Sequence, residues 1–394
     1  MKGLKALGGS FLINLSVGFG YAILISRVLG VENRGLVYSY QLPSLFIATL
    51  VFSIASQPVF ELTKNTTNSR VSSITIALTL LSCSLFSLIC CYLYWRVFNQ
   101  DISFLYLVLV TVSQGFGLFF INFIKFNPSR KRFVISSMIT PVSLLVITFS
   151  VFVVTSSLNV NSTILSIVIA YALSLITYVI LSNNQIENKC LDEGVKSSVF
   201  YNRLLAIFTH KFLNVFSNYI DKLIVVTFYS PRLAGFIAVC MSLETVSSKL
   251  YTMLANYQLN SVSNRRDTKL ETKKIYFTAS VIGLIGILFS ILLGELIITI
   301  MFGVEYSAAS EYLALIISIS IVNGLTWLIS QDWLLAYSYK KIYIRQLCGL
   351  AIVVSGFVIS NSYGFGIVGF LFAVLLANIF KFMYTFILKK GESF

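Results

Sequence analysis

Residues 275–302 read IYFTASVIGLIGILFSILLGELIITIMF, an apolar run long enough to cross a membrane as one helix. A helix rises about 1.5 Å per residue, so ~20 apolar residues cross ~30 Å of hydrocarbon. Similar runs recur along all 394 residues, of which 57% are hydrophobic and only 11% charged. Since an average soluble domain is about 25% charged, this composition excludes a soluble enzyme and predicts an all-α polytopic membrane protein.

Apolar runs between charged or Pro-, Gly- and Asn-rich breaks predict about twelve membrane spans. The loops between them are too short for a folded extramembrane domain. The charged segment 183–203 divides the spans, which predicts an N-terminal six-helix bundle (1–182), a cytoplasmic linker (183–203) and a C-terminal six-helix bundle (204–394). The spans cover residues 7–27, 36–59, 74–95, 104–124, 133–154, 164–181, 204–228, 233–254, 275–302, 308–335, 342–363 and 366–388.

The basic residues predict the orientation of the chain. Most of the 29 lysines and arginines fall in the loops that share a side with both termini. Since cytoplasmic loops carry the excess of Lys and Arg, we expect both termini to be cytoplasmic. This count places Arg34 in an outer loop and Arg345 in an inner one. The net charge of +14 then reflects topology and contact with anionic lipids, and we expect no nucleic-acid partner.

Several kinds of chemistry lack their residues. The sequence has no glycine-rich phosphate loop, which argues against an ATP-driven pump. A single histidine, His210, and six cysteines without C-x-x-C spacing argue against a metal or redox centre. We therefore expect no cofactor, no metal and no enzyme, although a carboxylate-only enzyme stays open. The remaining classes are channels, transporters and structural membrane proteins.

Polar side chains within spans are costly in lipid, so they are expected to face other helices or a hydrated cavity. In the seventh span, Lys211, Asn214, Asn218 and Asp221 recur at steps of three and four residues and share one face. Span-interior lysines are confined to the second half of the chain. A cavity between a cationic half and a polar half suits a large, anionic, partly sugar-like substrate. The alternatives are lysines that snorkel to the interface, and amides that only bond neighbouring helices.

Three short passages resemble the O-antigen and polysaccharide flippases (Wzx-like) of the multidrug/oligosaccharidyl-lipid/polysaccharide (MOP) superfamily. The first is ISRVLGVENRGLVY at residues 25–38, where Arg27, Leu29, Gly30 and Gly35 match the family's Arg-x-Leu-Gly, polar turn and Gly pattern. The second is NYIDKLIVV at residues 218–226, and the third is YGFGIVG at residues 363–369.

The resemblance implies two six-helix bundles arranged as a V that work by alternating access. It further implies translocation of an undecaprenyl-diphosphate-linked oligosaccharide from the cytoplasmic to the outer face of a bacterial inner membrane. Expected partners are this lipid-linked oligosaccharide, membrane lipids and other polysaccharide-assembly membrane proteins.

Charge then suggests roles for individual residues. We expect Lys211, Lys249 and Lys381 to attract the diphosphate, with Arg27 as an acceptor near the outer side. Candidates for carrying a proton or sodium ion are Asp221, Glu244 and Glu61, for which a structural ion pair is the alternative. The expected sugar-binding residues are Asn14, Gln57, Gln114, Asn214, Asn218, Asn323 and Trp327.

Three other functions remain open. A multidrug exporter of the same superfamily would favour acidic cavity residues that receive cationic drugs, and the excess of lysine argues against it. A polysaccharide polymerase would carry a long outer loop with arginines. A twelve-helix transporter of the major facilitator type would carry a basic, glycine-containing loop after its second span, where residues 61–70 contain no glycine.

Overall fold

The computed structural model describes residues 2–56, 71–98, 102–125, 130–182, 186–187, 197–263, 268–335 and 339–392. Gln57 and Glu61 lie outside the described residues. Nearly all of the described chain is helical. The helices are α1 (Lys2–Ala48), α2 (Ser73–Phe98), α3 (Phe104–Lys125), α4 (Arg130–Thr155), α5 (Val160–Ser182), α6 (Ser197–Phe228), α7 (Pro231–Ser263), α8 (Thr268–Phe302), α9 (Ser310–Leu335), α10 (Tyr339–Ser362) and α11 (Gly366–Glu392).

Short non-α segments interrupt the helices. A π-helical turn, Thr49–Ser53, follows α1, and a 3₁₀ segment, Val304–Ala309, precedes α9. Two-residue strands, β1 (Val71–Ser72) and β2 (Ile186–Glu187), pair in parallel. The described chain is thus an all-helical protein with one short β-bridge.

Helix α1 is two helices joined at Gly30, as the predicted break between the first two spans requires. Gly30 has φ 73° and ψ 173°, a conformation that costs glycine little because it has no Cβ. The chain reverses its path here, so residues before and after the kink face each other. Tyr21 and Gln41, 20 residues apart, are in hydrogen-bond contact across it.

Ten described helical segments are long and apolar enough to cross a membrane. Counting α1 as two helices and adding the more polar α6 brings the described helical segments to twelve, which confirms the predicted all-α polytopic fold. Large apolar side chains such as Leu81, Phe289 and Leu292 are exposed on the outside of the helices, as lipid contact requires. The chain is a multi-pass membrane protein.

The close contacts divide the chain into two units, residues 1–234 and 235–394, here called the N-unit and the C-unit. Helix α6 lies in the N-unit because its aromatic face packs on α1. Phe46 contacts Phe216 and Tyr219 with ring centroids 5.9 Å apart in both pairs. The predicted bundle boundary at residues 183–203 stays a prediction, because packing in one conformation does not define which helices move together. The cytoplasmic position of both termini also stays a prediction.

Each unit has its own apolar core. The N-unit core contains Ile25, Phe52, Leu107 and Phe119, and joins α1, α2, α3 and α5. In the C-unit, the Tyr251 side chain of α7 inserts between α8 and α9 and is 2% exposed. Its hydroxyl donates to the carbonyl of Ala279 at 2.8 Å, which satisfies the one polar group that this contact buries.

Glycine at position 324 makes room for the Tyr251 ring, because a Cβ there would overlap the ring atoms. We expect Gly324→Ala to lower the free energy of unfolding by about 1–3 kcal/mol, the usual range for overpacking. Gly286→Ala is the matched control, since a Cβ at Gly286 meets nothing nearer than 3.9 Å. Thermal unfolding in detergent measures both variants. Equal melting temperatures would contradict the tight seat of Tyr251.

Candidate functional site

A buried polar network occupies the N-unit at the kink of α1. Arg34 is 5% exposed, although the sequence placed it in a loop, and its Nη1 donates to Gln41 Oε1 at 3.4 Å. The Gln41 amide in turn donates to the Tyr21 hydroxyl at 3.3 Å. Arg34 and Gln41 are two helical turns apart, so they share one face of α1. The hairpin at Gly30 closes this face onto Tyr21.

A second group of polar side chains joins α3, α4 and α5 in the same unit. Gln114 is 3% exposed and lies in hydrogen-bond contact with Tyr171, which is partly exposed. Gln114 Oε1 is buried and has no hydrogen-bond partner among the described residues. Tyr178 donates to the carbonyl of Ser136 at 3.0 Å and is 2.5 Å from the Thr140 hydroxyl. Tyrosine hydroxyls and a free amide acceptor are groups that bind hydroxyl-bearing ligands.

Helix α6 carries the predicted polar face of Lys211, Asn214, Asn218 and Asp221, and all four side chains are half-buried. Lys222 donates to the carbonyl of Asn218 at 3.2 Å and lies 6.0 Å from the Tyr219 ring centroid. Asp221 Oδ1 is buried without a hydrogen-bond partner in the described part of the chain. A carboxylate in that position is suited to take up a proton or a cation.

In the C-unit, Glu244 links α7 to α9. The Ser320 hydroxyl donates to Glu244 Oε1 at 2.5 Å, and both side chains lie well inside the apolar spans. Lys249 is half-buried on the same helix. Asn323 is exposed, whereas Trp327 packs against the cluster around Tyr251 and Leu328.

Lys381 is 5% exposed and lies between α10 and α11, where its Cε packs on the backbone of Gly349. One helical turn away, Arg345 is 6% exposed, and its Nη1 donates to the Thr385 hydroxyl at 3.1 Å. The two helices are antiparallel, which pairs residue 345 with 385 and residue 349 with 381. Two cations are therefore buried side by side in this helix pair.

The structure does not bring the predicted site residues together at one point. The N-unit holds Arg27, Asn14, Gln114, Lys211, Asn214, Asn218 and Asp221, and the C-unit holds Lys249, Lys381, Asn323, Trp327 and Glu244. Arg27 is exposed and Asn14 is half-buried. Gln57 and Glu61 fall outside the described residues. The predicted roles of all these side chains stay predictions.

Sequence reasoning missed Arg34 and Arg345 because it counted both as loop residues. The seven-residue spacing of Arg34 and Gln41 was a usable signal, since it places both on one helix face. For Arg345, helix α10 begins at Tyr339, three residues before the predicted span, so this arginine lies almost two turns inside the helix. Tyr171 was missed because a tyrosine within an apolar run looks like ordinary core packing.

No protein family's sequence profile matches the chain, and no curated protein matches it in sequence. Solved structures do match it. The lipid II flippase MurJ, in an inward closed conformation, aligns with a TM-score of 0.70 and 15% identity over 97% of this chain and 87% of that one. An outward-facing multidrug resistance MATE transporter of the MOP superfamily aligns with a TM-score of 0.66 and 12% identity over 99% and 95%.

The fold is that of MOP-superfamily transporters. A third match, the MATE multidrug transporter DinF-BH, has a TM-score of 0.63 and 14% identity over 98% of this chain and 94% of that one. The three structures are a flippase and two drug transporters, and none is an enzyme. At these identities the likeness concerns the fold, and the assignment of substrate depends on the side chains of this chain.

The network at the α1 kink depends on Gln41, which bonds both Tyr21 and Arg34. We expect Gln41→Leu to lower the free energy of unfolding by about 1–3 kcal/mol, because the change leaves buried polar groups without their partner. Asn33→Ala is the control, since Asn33 is exposed and its amide bonds the carbonyl of Leu29 within its own helix. Thermal unfolding in detergent is the measurement. A Gln41 variant as stable as the control would show that the network does not hold the kink.

Proposed function

We propose that this chain is a flippase that moves an undecaprenyl-diphosphate-linked oligosaccharide across a bacterial inner membrane. The cargo is an O-antigen or related surface polysaccharide repeat unit, and it passes from the cytoplasmic to the outer face by alternating access. The chain would work alongside other membrane proteins of polysaccharide assembly. The MOP transporter fold and its likeness to a lipid II flippase support a lipid-linked cargo.

The observation that carries the proposal is the sign of the buried charge. Arg34, Arg345 and Lys381 are 5–6% exposed, and no described carboxylate is buried to that extent. Charges in a low-dielectric interior act over longer distances than charges in water. Both units therefore present a positive potential from within, which attracts a diphosphate and repels a cationic drug.

Half-buried groups supply the direct contacts in this proposal. Lys211 in the N-unit and Lys249 in the C-unit are open enough to meet a phosphate oxygen, and ammonium–phosphate hydrogen bonds are among the stronger polar contacts. Asn14, Gln114, Asn214 and Asn218 supply amides for sugar hydroxyls, with Asn323 and Trp327 in the C-unit. The prenyl tail stays in lipid, since burying it in a polar groove would gain nothing.

Removing single lysines tests the proposal directly. We expect Lys211→Gln, Lys249→Gln and Lys381→Gln each to slow flipping about tenfold or more, as loss of a desolvated charge pair does. The assay uses the full chain in vesicles with a fluorescent undecaprenyl-diphosphate-linked oligosaccharide, and it follows the fraction open to a membrane-impermeant quencher.

Lys340→Gln is the matched control, since Lys340 is exposed on α10. Vesicles without protein and a neutral fluorescent lipid report passive and non-selective movement. If all three lysine variants keep wild-type rates at equal protein levels, the assignment of these residues is wrong. If the wild-type chain moves the neutral lipid equally fast, the chain does not select a diphosphate cargo.

A multidrug exporter is the second candidate, and two observations favour it. Two MATE transporters share the fold with TM-scores of 0.66 and 0.63. Asp221 and Glu244 are half-buried carboxylates that a cationic substrate or a coupling ion would meet. Uptake of a fluorescent cationic dye into the same vesicles, with no movement of the diphosphate lipid, would select this function.

Asp221 and Glu244 are the described candidates for coupling transport to a proton or sodium ion. We expect Asp221→Asn to abolish any acceleration by an imposed ion gradient while leaving gradient-free flipping nearly unchanged, because Asp221 Oδ1 has no described partner to lose. Glu244→Gln should also weaken the contact between α7 and α9, since its partner Ser320 donates to a charged oxygen. Flipping that ignores pH and sodium gradients in the wild type would remove both residues from this role.

A further inference from the structure

The end of the C-unit formed by the first turns of α10 and the last turns of α11 concentrates positive charge. On α10, Lys341 and Arg345 are one turn apart and share a face. On α11, Lys381, Thr385 and Lys389 follow at steps of four residues. No acidic residue occurs in α10 over residues 339–362. The cations therefore form a stripe along one helix pair, with its most buried members in the middle.

The two inner cations are held by packing of small groups. Lys381 lies against Gly349, where any larger residue would collide with the lysine side chain. Thr385 accepts a hydrogen bond from Arg345 and donates its own to the carbonyl of Lys381. Arg345 Nε is buried and has no hydrogen-bond partner among the described residues. A planar guanidinium with a donor to spare beside an ammonium matches the oxygens of a phosphate group.

We propose that Arg345, Lys381 and Thr385 form a binding site for the phosphate group of a lipid. The assignment of the cargo rests on the proposed function, while the phosphate chemistry rests on the helix pair alone. Two sources offer this chemistry: the diphosphate of a lipid-linked cargo, and the headgroup of a resident anionic phospholipid. Arg345 and Lys381 bind the phosphate oxygens, and the contact between Arg345 and Thr385 opens to admit them.

Neighbouring carboxylates define the competing explanation. By sequence, Asp332 in α9 and Glu392 in α11 belong to the elements at this end, and their side chains lie outside the described residues. If one of them neutralises the buried cations, its removal should lower stability and leave phosphate binding unchanged. If a phosphate ligand is the partner, Asp332→Asn should strengthen phosphate binding, because a competing negative charge is gone.

The test is ligand binding by the full-length chain in detergent, measured by native mass spectrometry and by the ligand-induced rise in melting temperature. The probes are undecaprenyl diphosphate, phosphatidylglycerol, inorganic phosphate and, as the uncharged reference, undecaprenol. We expect the wild type to bind undecaprenyl diphosphate and not undecaprenol, and Arg345→Gln and Lys381→Gln to bind it about tenfold or more weakly. Arg96→Gln is the control, since Arg96 is an exposed arginine of the N-unit.

Arg345→Lys keeps the charge but loses the fork of donors, so it should bind with intermediate strength. This variant also serves if Arg345→Gln does not fold. Each variant is compared with itself with and without ligand, so a change in intrinsic stability does not imitate a loss of binding. A purely structural arginine would shift the melting temperature of the empty protein and leave the ligand-induced rise unchanged, which would overturn the proposal.

The outcomes separate this site from the proposed function. Equal binding of undecaprenyl diphosphate to the wild type and both glutamine variants overturns the site and leaves the flippase proposal standing. Equal loss of phosphatidylglycerol and undecaprenyl diphosphate in the variants supports the site as one for phospholipid, and it removes the support for a selected cargo. Loss of undecaprenyl diphosphate alone supports both.

Discussion

The constraint on which the structure depends is the absence of water between the helices. In hydrocarbon every backbone N–H and C=O has to be bonded within the protein, and a helix achieves this within a single segment. The same condition makes each polar side chain inside a span an expense that packing has to offset. Tyr251, whose hydroxyl reaches the carbonyl of Ala279, shows how a single group is accommodated. The buried arginines and lysine are a larger expense.

That expense is distributed in a particular way. In the N-unit it falls at the α1 kink, where Gly30 allows the reversal that brings Gln41 between Arg34 and Tyr21. In the C-unit it falls between α10 and α11, where Gly349 makes space for Lys381. A glycine therefore stands beside the buried charge in each unit. Charges that served only to fix topology would lie at helix ends in water, where no such accommodation is needed.

Much of the fold follows from the sequence, because long apolar runs allow few alternatives to membrane-spanning helices. The break at Gly30 and the polar face of α6 were both readable, the first from a turn-like passage and the second from steps of three and four residues. The neighbours of each polar group were not readable. The depth of Lys381 could be estimated from its distance to the helix end, whereas its contact with Gly349 and its closeness to Arg345 depend on how α10 and α11 align. Arg34 and Arg345 show the limit most clearly, since an arginine near a predicted span end looks like a topology signal.

The likeness to known structures does not settle the cargo, because a lipid flippase and drug exporters share this fold with similar scores. The decision between them is electrostatic. A site for a cationic drug needs negative charge where water is scarce, and the described carboxylates Asp221 and Glu244 are only half-buried. A site for a diphosphate needs positive charge in the same places, and the deepest charged groups in both units are positive. Since the free energy of a charge depends most strongly on its depth, the sign of the deepest charges is the feature that best reports which ions the interior is built to receive.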